Sequence, residues 1–324
     1  MTDISIGLIG AGMMGQEHIQ NFNLLDGVRV GAIADTNASM RDTAAALCAQ
    51  KITPMADFEK LLTDPSLDAF VIATPNFHHI DVLRPALETG KPILCEKPLC
   101  TTLENTREIL TRLEADKQIF QVGMEYRFKP ALADMIARVD AGETGRLHML
   151  SIREHRFPFL QKVDDWNRFN RNTGGTLVEK CCHFFDLMRR IIGSEPVRVM
   201  ASAGRDVNHL DESYHGDVPD ILDNAYVIFD FENGARAFGF VHVRRGLAPS
   251  RRIMRDWRNR KSRVSVAAKY RGARCPRRLA NAKRNRACRK GNSRRWLSFG
   301  CHIFSKSGFF ESRARRGGCY CNSR

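Results

Sequence analysis

The 324-residue sequence has no apolar run approaching the roughly 18 residues that a transmembrane helix needs. Its N-terminus lacks the basic lead and small-residue cleavage site of a secretory signal. Nothing repeats at a fixed period, so solenoids and propellers are excluded. Cys48, Cys95, Cys100, Cys181 and Cys182 have neither disulfide-framework nor zinc-ligand spacing. They are expected to be free thiols of a cytoplasmic protein with no metal. Cys319 and Cys321 stand too close for a C-x-x-C redox motif. Acidic residues are scarce in one place only. Residues 244–324 hold 2 of them against 26 Lys and Arg, whereas residues 1–243 hold 34 against 25. The net charge of +15 therefore belongs to one segment, and a nucleic-acid-binding role for the whole chain fails.

What is present begins with alternating strands and helices. ISIGLIG (4–10), VRVGAIAD (28–35), DAFVIATP (68–75), PILCEKP (92–98) and IFQVGME (119–125) are short apolar runs ended by turn residues or acids. Helical patterns separate them, as in HHIDVLRPALETG and LENTREILTRLEADKQ. That alternation predicts a parallel sheet of βαβ units. From about residue 145 the pattern changes to longer alternating strands, one helix around FFDLMRRIIG, and a hairpin over 226–243 turning at Asn233-Gly234. After Val243 no alternating strand or amphipathic helix is expected.

Gly10-Ala-Gly12-Met13-Met14-Gly15 is G-x-G-x-x-G, placed between an apolar strand and a helix, the context a dinucleotide site requires. Gly10 permits the tight turn, Gly12 lets a pyrophosphate approach, and Gly15 lets helix and strand pack closely. Asp35 ends the second strand, 20 residues beyond Gly15. A carboxylate there binds ribose hydroxyls and repels a 2′-phosphate, so NAD is expected rather than NADP.

ATPNFHH (73–79), CEKP (95–98) and GGTLVEKCCHFFDL (174–187), together with the glycine motif, resemble the glucose–fructose oxidoreductase/inositol dehydrogenase (Gfo/Idh/MocA) family over residues 3–243. The resemblance implies a Rossmann domain (1–122). A partial α+β substrate domain with an open, largely antiparallel sheet (123–243) follows it. It implies an NAD-dependent oxidoreductase of a small sugar or polyol, often oligomeric through its sheet. Lys97 matches the lysine of the family's E-K-P, and the peptide before Pro98 is a candidate cis bond. His183 matches the catalytic base, with Glu179 four residues earlier, on the same face if the stretch is helical. Thr74, Pro75, Asn76 and His79 match the nicotinamide side, and Glu96 its ribose. Arg127, Asp165, Trp166 and Asn172 are candidate substrate contacts. An alternative from another class is a non-catalytic, NAD-binding sugar sensor on the same scaffold.

Where the family continues with further sheet, this chain has a basic tail (244–324), expected to be disordered or frameshifted. Read one base later with permitted synonymous codons, Asp256–Arg263 can become TGEIGKVE and Trp296–Glu311 can become GYHLGATYFQNQGFLN, both family-like. A frame change near residues 241–250, in the gene or in its sequencing, is the expectation. A genuine nucleic-acid tail and a divergent terminus are the alternatives. If the tail is translated, the hairpin at 226–243 is expected to keep an unpaired edge.

Overall fold

The computed structural model describes residues 3–156, 158–243 and 262–268. These fall into two compact units, one up to Lys129 and one from Pro130.

The first unit runs β1 (Ile4–Ile9), α1 (Met13–Phe22), β2 (Val28–Ala34), α2 (Ala38–Leu47), α3 (Phe58–Leu62), β3 (Ala69–Ile72), α4 (His79–Glu88), β4 (Ile93–Cys95), α5 (Leu103–Asp116) and β5 (Phe120–Val122). All strands are parallel, in the order β2-β1-β3-β4-β5. β1, β3 and β4 are buried along their whole length, which is why they read as unbroken apolar runs. Two apolar clusters form around the sheet: Ile9, Phe70, Ile72, Leu83 and Ile109 belong to one, Ile6, Leu8, Ile19, Phe22 and Ile33 to the other. Helix starts are set locally. Asn37, Asp57 and Thr102 each accept a backbone N–H of the turn they cap, worth about 1 kcal/mol apiece. The run expected to continue as strand to Glu125 stops at Val122, where Met124 N–H turns back onto the Val122 carbonyl.

The second unit runs α6 (Pro130–Asp140), β6 (Leu147–Arg156), α7 (Asn170–Thr173), α8 (Thr176–Glu179), α9 (Cys182–Ile192), β7 (Pro196–Gly204), β8 (Asn224–Phe231), β9 (Arg236–Val243) and β10 (Ser262–Ala268). Its sheet has the order β10-β6-β9-β8-β7, antiparallel except where β6 meets β9. α9 buries Phe184, Leu187, Met188, Ile191 and Ile192 on one face. The β8–β9 hairpin turns at Asn233-Gly234, where Gly234 takes φ +82° and Asn233 Oδ1 accepts the Ala235 N–H.

Two expectations are corrected here. The hairpin has no unpaired edge, because β7 flanks β8 and β6 flanks β9; among the described residues the sheet edges are β7 and β10. The segment after Val243 also contains a strand, β10, paired with β6 from Ser262↔Glu154 to Ala268↔Leu147. Its alternation is short and set among cations, and its partner lies over 100 residues earlier, beyond any local pattern. The rest of the tail, including Trp296–Glu311 and most of the expected frame break, lies outside the described residues. Among the described residues no helix is long and apolar enough to cross a membrane, and no group of three or more His, Cys, Asp or Glu is placed to hold a metal.

Candidate active site

The loop after β1 is built by its glycines. Gly10 has φ +97°, and a Cβ there would lie 2.5 Å from the Ala73 carbonyl carbon and 2.6 Å from Thr74 N. A Cβ on Gly15 would overlap the Gly10 oxygen, so α1 rests directly on the turn. At Gly12, by contrast, a Cβ would meet nothing within 4 Å. That glycine caps α1 without any side-chain hydrogen bond. The opening turn of α1 is thus approachable by a ligand, with its N–H groups and dipole suited to an anion. These features fit a dinucleotide pyrophosphate. Met13 is exposed beside the turn and Met14 is half-buried. Asp35 is fixed from both sides: Oδ2 accepts Ala11 N–H at 2.7 Å and Oδ1 accepts Asn37 N–H at 2.8 Å. A carboxylate has lone pairs left for ribose hydroxyls after two such bonds. Arg41 donates to the carbonyls of Asp35 and Thr36, at 2.7 and 3.0 Å, and holds the strand end open as a short loop.

The turns after β3 and β4 lie along the same carboxyl edge of the sheet. Thr74 and Pro75 lead into a 3-10 turn, Asn76–His78, with Asn76 buried. His79 is fully buried; Nδ1 lies 2.8 Å from the Pro98 carbonyl and Nε2 3.1 Å from the Thr74 carbonyl. Burial pushes its imidazole below the usual histidine range, against the pull of the carbonyls and of Glu96. With no exposed surface it ties the two loops together from behind. The Lys97-Pro98 peptide is cis.

Glu96 is buried, with Oε1 2.8 Å from His18 Nε2 and Oε2 accepting the Lys97 N–H at 3.2 Å. Burial pushes this carboxyl up, but the His18 hydrogen bond and charge, followed by Lys97, hold it below the ordinary glutamate range. Glu125 opens a 3-10 turn, Glu125–Phe128, just after β5. Burial and the negative Glu96 push its carboxyl up to about 7, against the pull of Lys129 and Lys97. Tyr126 is buried with the Lys129 ammonium 3.0 Å from its ring centre, while Arg127 is exposed. His18 and Glu125 escaped the sequence reading. A histidine one turn after Gly15 was the available signal for His18; for Glu125 there was none.

In the second unit, Gly174 and Gly175 have φ +75° and +88°, so the G-G pair is a conformational requirement. Glu179 ends α8 and His183 lies in the first turn of α9, both buried. The stretch is not one helix. Lys180 and Cys181 form a junction in which Cys181 N–H reaches the Thr176 carbonyl, five residues back. The four-residue spacing of Glu179 and His183 thus spans a right-handed junction and not one continuous helix. Asp165 has φ +50°, beside Asp164 at +53°, and accepts from Gln161 at 3.1 Å. Trp166 is half-buried, and Asn172 spends its amide N–H on the Trp166 carbonyl at 3.0 Å. Asn172 thus braces the loop that carries Trp166.

Comparison with known proteins agrees with this layout. Residues 4–124 match the profile of an oxidoreductase family with an NAD-binding Rossmann fold, and residues 136–246 match the same family's C-terminal alpha/beta domain. The uncharacterized oxidoreductase YrbE of Bacillus subtilis is 34% identical over 72% of this chain and 65% of its own length. The scyllo-inositol 2-dehydrogenase (NAD(+)) of the same organism is 29% identical over the same shares, 72% and 65%. The chain thus spans just under two thirds of both curated relatives. A crystal structure of a Sinorhizobium meliloti protein assigned as a myo-inositol dehydrogenase superposes with a TM-score of 0.65. It is 27% identical, over 75% of this chain and 70% of that one. Matched through both domains, with the glycine turn and the E-K-P strand end on one sheet edge, the chain belongs to the Gfo/Idh/MocA oxidoreductase family.

Proposed function

We propose that the protein is an NAD-dependent dehydrogenase acting on a CH–OH carbon of a sugar or polyol of inositol type. The observation that carries this reading is the carboxyl edge of the first sheet. There the anchored Asp35, the open glycine turn and Lys97 are held by neighbouring loops. The naming of a scyllo-inositol dehydrogenase and of a myo-inositol dehydrogenase among similar proteins supports the substrate class.

Bound NAD supplies the nicotinamide carbon that accepts or returns a hydride. The chain's residues do the rest. Gly10, Gly12, Met13, Met14 and Gly15 receive the pyrophosphate, and Asp35 takes the ribose hydroxyls and disfavours a 2′-phosphate. Thr74, Pro75, Asn76 and Glu96 line the nicotinamide and its ribose, with His79 bracing their loops. Lys97 binds the reacting hydroxyl and lowers its pKa. His183 takes the hydroxyl proton, and Glu179 orients its imidazole. Arg127, Asp165 and Trp166 meet the other hydroxyls, with Asn172 behind them. The outer face of the second sheet supports assembly into a homo-oligomer. Met200, Tyr226 and Ile228 are exposed there, and Tyr226 stacks on Phe238 at 5.8 Å between centroids. The free thiols Cys48, Cys95, Cys100, Cys181 and Cys182 support a reducing, cytoplasmic setting.

The test titrates NADH and NADPH by fluorescence and assays inositols, hexoses and linear polyols with each cofactor. The expected result is NADH bound at least about tenfold more tightly, turnover of an inositol or related ring, and a narrowed cofactor gap in Asp35→Ser. NADH binding without turnover of any polyol would replace this reading with that of a sensor.

A further inference from the structure

Helix α1 carries the glycine turn at one end and, six residues after Gly12, the buried His18. His18 is 7% exposed and Glu96 8%, and they meet at 2.8 Å across 78 residues of sequence. The second Glu96 oxygen accepts the backbone N–H of Lys97. On a third side stands Gly123, where a Cβ would lie 3.3–3.4 Å from the carboxylate; its N–H is bonded to the Cys95 carbonyl at 2.7 Å. The carboxylate is thus boxed by α1, by its own strand end and by the end of β5. Lys97 and Glu125 are the further ionisable groups that act on it, and Lys129 acts on Glu125.

Stability does not account for such a pair. Desolvation of a buried carboxylate and its polar partner roughly cancels their attraction, and apolar residues of the same size would pack as well. What the pair supplies is direction. One oxygen is fixed to the helix of the glycine turn and the other to the residue that carries the amine.

We propose that His18 is a positioning residue: through Glu96 it fixes the place and counter-charge of Lys97 and ties that lysine to the helix that receives the dinucleotide phosphates. This rests on the reading of Lys97 given above. Glu96 is the intermediary, so loss of His18 leaves the glycine turn intact while Lys97 loses its register.

The test uses the full chain with His18→Ala, His18→Gln and His18→Asn. Three quantities are measured for each: NADH affinity by fluorescence, the rate of Lys97 acylation by peptide mass spectrometry with and without NADH, and kcat and KM for the polyol that turns over. In H18A, NADH affinity is expected to change by less than about threefold. NADH protection of Lys97 is expected to be lost, and kcat to fall about tenfold to a hundredfold with little change in KM. Gln places an amide N–H near the position of Nε2 and is expected to restore protection and kcat; the shorter Asn is not. If H18A does not fold, the contrast between Gln and Asn decides. Equal Lys97 labelling and equal kcat in all variants would overturn the proposal. Altered labelling in a chain whose wild type turns over no polyol would remove the dehydrogenase reading and leave the positioning role. Turnover indifferent to His18 would do the reverse.

Discussion

The carboxyl edge of the first sheet and the loop 158–175 of the second unit hold their polar side chains by different means. At the first, the polar groups are tied to backbone: buried His79 to two carbonyls, half-buried Asp35 to two N–H groups, buried Glu96 to the Lys97 N–H. In and around the second, Asn167, Asn172 and Thr173 are also tied to backbone carbonyls, but left-handed residues such as Asp164 and Asp165 and ion pairs share the support. Arg171–Asp217 is exposed, and Arg168–Glu212 is buried only on the arginine side. Buried backbone ties fix a geometry before any ligand arrives, whereas solvated pairs adjust at little cost. The first arrangement suits a cofactor whose shape never changes. The second suits, on the function proposed above, a ligand whose shape varies.

Substitutions can break that contrast at graded strength. Lys97→Ala removes the group at which the rigid edge is aimed. It should lower kcat about 10²–10⁴-fold with NADH affinity nearly unchanged, read by steady-state kinetics beside a fluorescence titration. Gly10→Ala attacks the rigidity itself. A Cβ at φ +97° meets the Ala73 and Thr74 backbone, so a cost of about 2–3 kcal/mol is expected, with a lowered Tm and NADH affinity reduced about tenfold or more.

Glu125→Gln sharpens the comparison through pH. The Glu125 carboxyl lies near 7 in the folded protein, against about 4.3 when unfolded. The native state therefore binds the proton more tightly, and wild-type stability declines as pH rises through that window. The glutamine variant has no such proton. Its stability should match wild type near pH 4.5 and exceed it increasingly up to about pH 8, by on the order of 3 kcal/mol, read as a growing Tm difference. A constant Tm difference across that range would refute it. Arg171→Ala breaks an exposed pair in the adjustable region and should cost less than about 1 kcal/mol, seen as a small Tm shift that salt erases.

The contrast also explains what the sequence could disclose. Gly10 and Gly15 act through local backbone demands, and Gly12 and Asp35 stand at fixed offsets from them, so the spacing is legible. The same holds for Asn233-Gly234 and for the strand end carrying Lys97. His18 was hidden because its partner lies 78 residues away, and a histidine on a helix face carries no mark of what it meets. The burial of His79 was hidden in the same way, since the Pro98 carbonyl that it meets lies 19 residues on. The break between α8 and α9 was invisible because Glu179 and His183 keep a helical spacing across it. β10 went unseen because β6, its partner, belongs to a distant part of the chain.

The place of β6 also sets an order in time. Both of its neighbours come later in the chain: β9 pairs Met149 with Arg236, and β10 pairs Ser262 with Glu154. Every strand of the first sheet, by contrast, has its partners between residues 4 and 122. On the ribosome, chains fold from the N-terminus in units as they emerge. The nucleotide-binding half can therefore finish while β6 waits exposed through some 80 further residues of synthesis. During that interval the nascent chain presents a bare strand, and a chaperone or a premature stop would act there first.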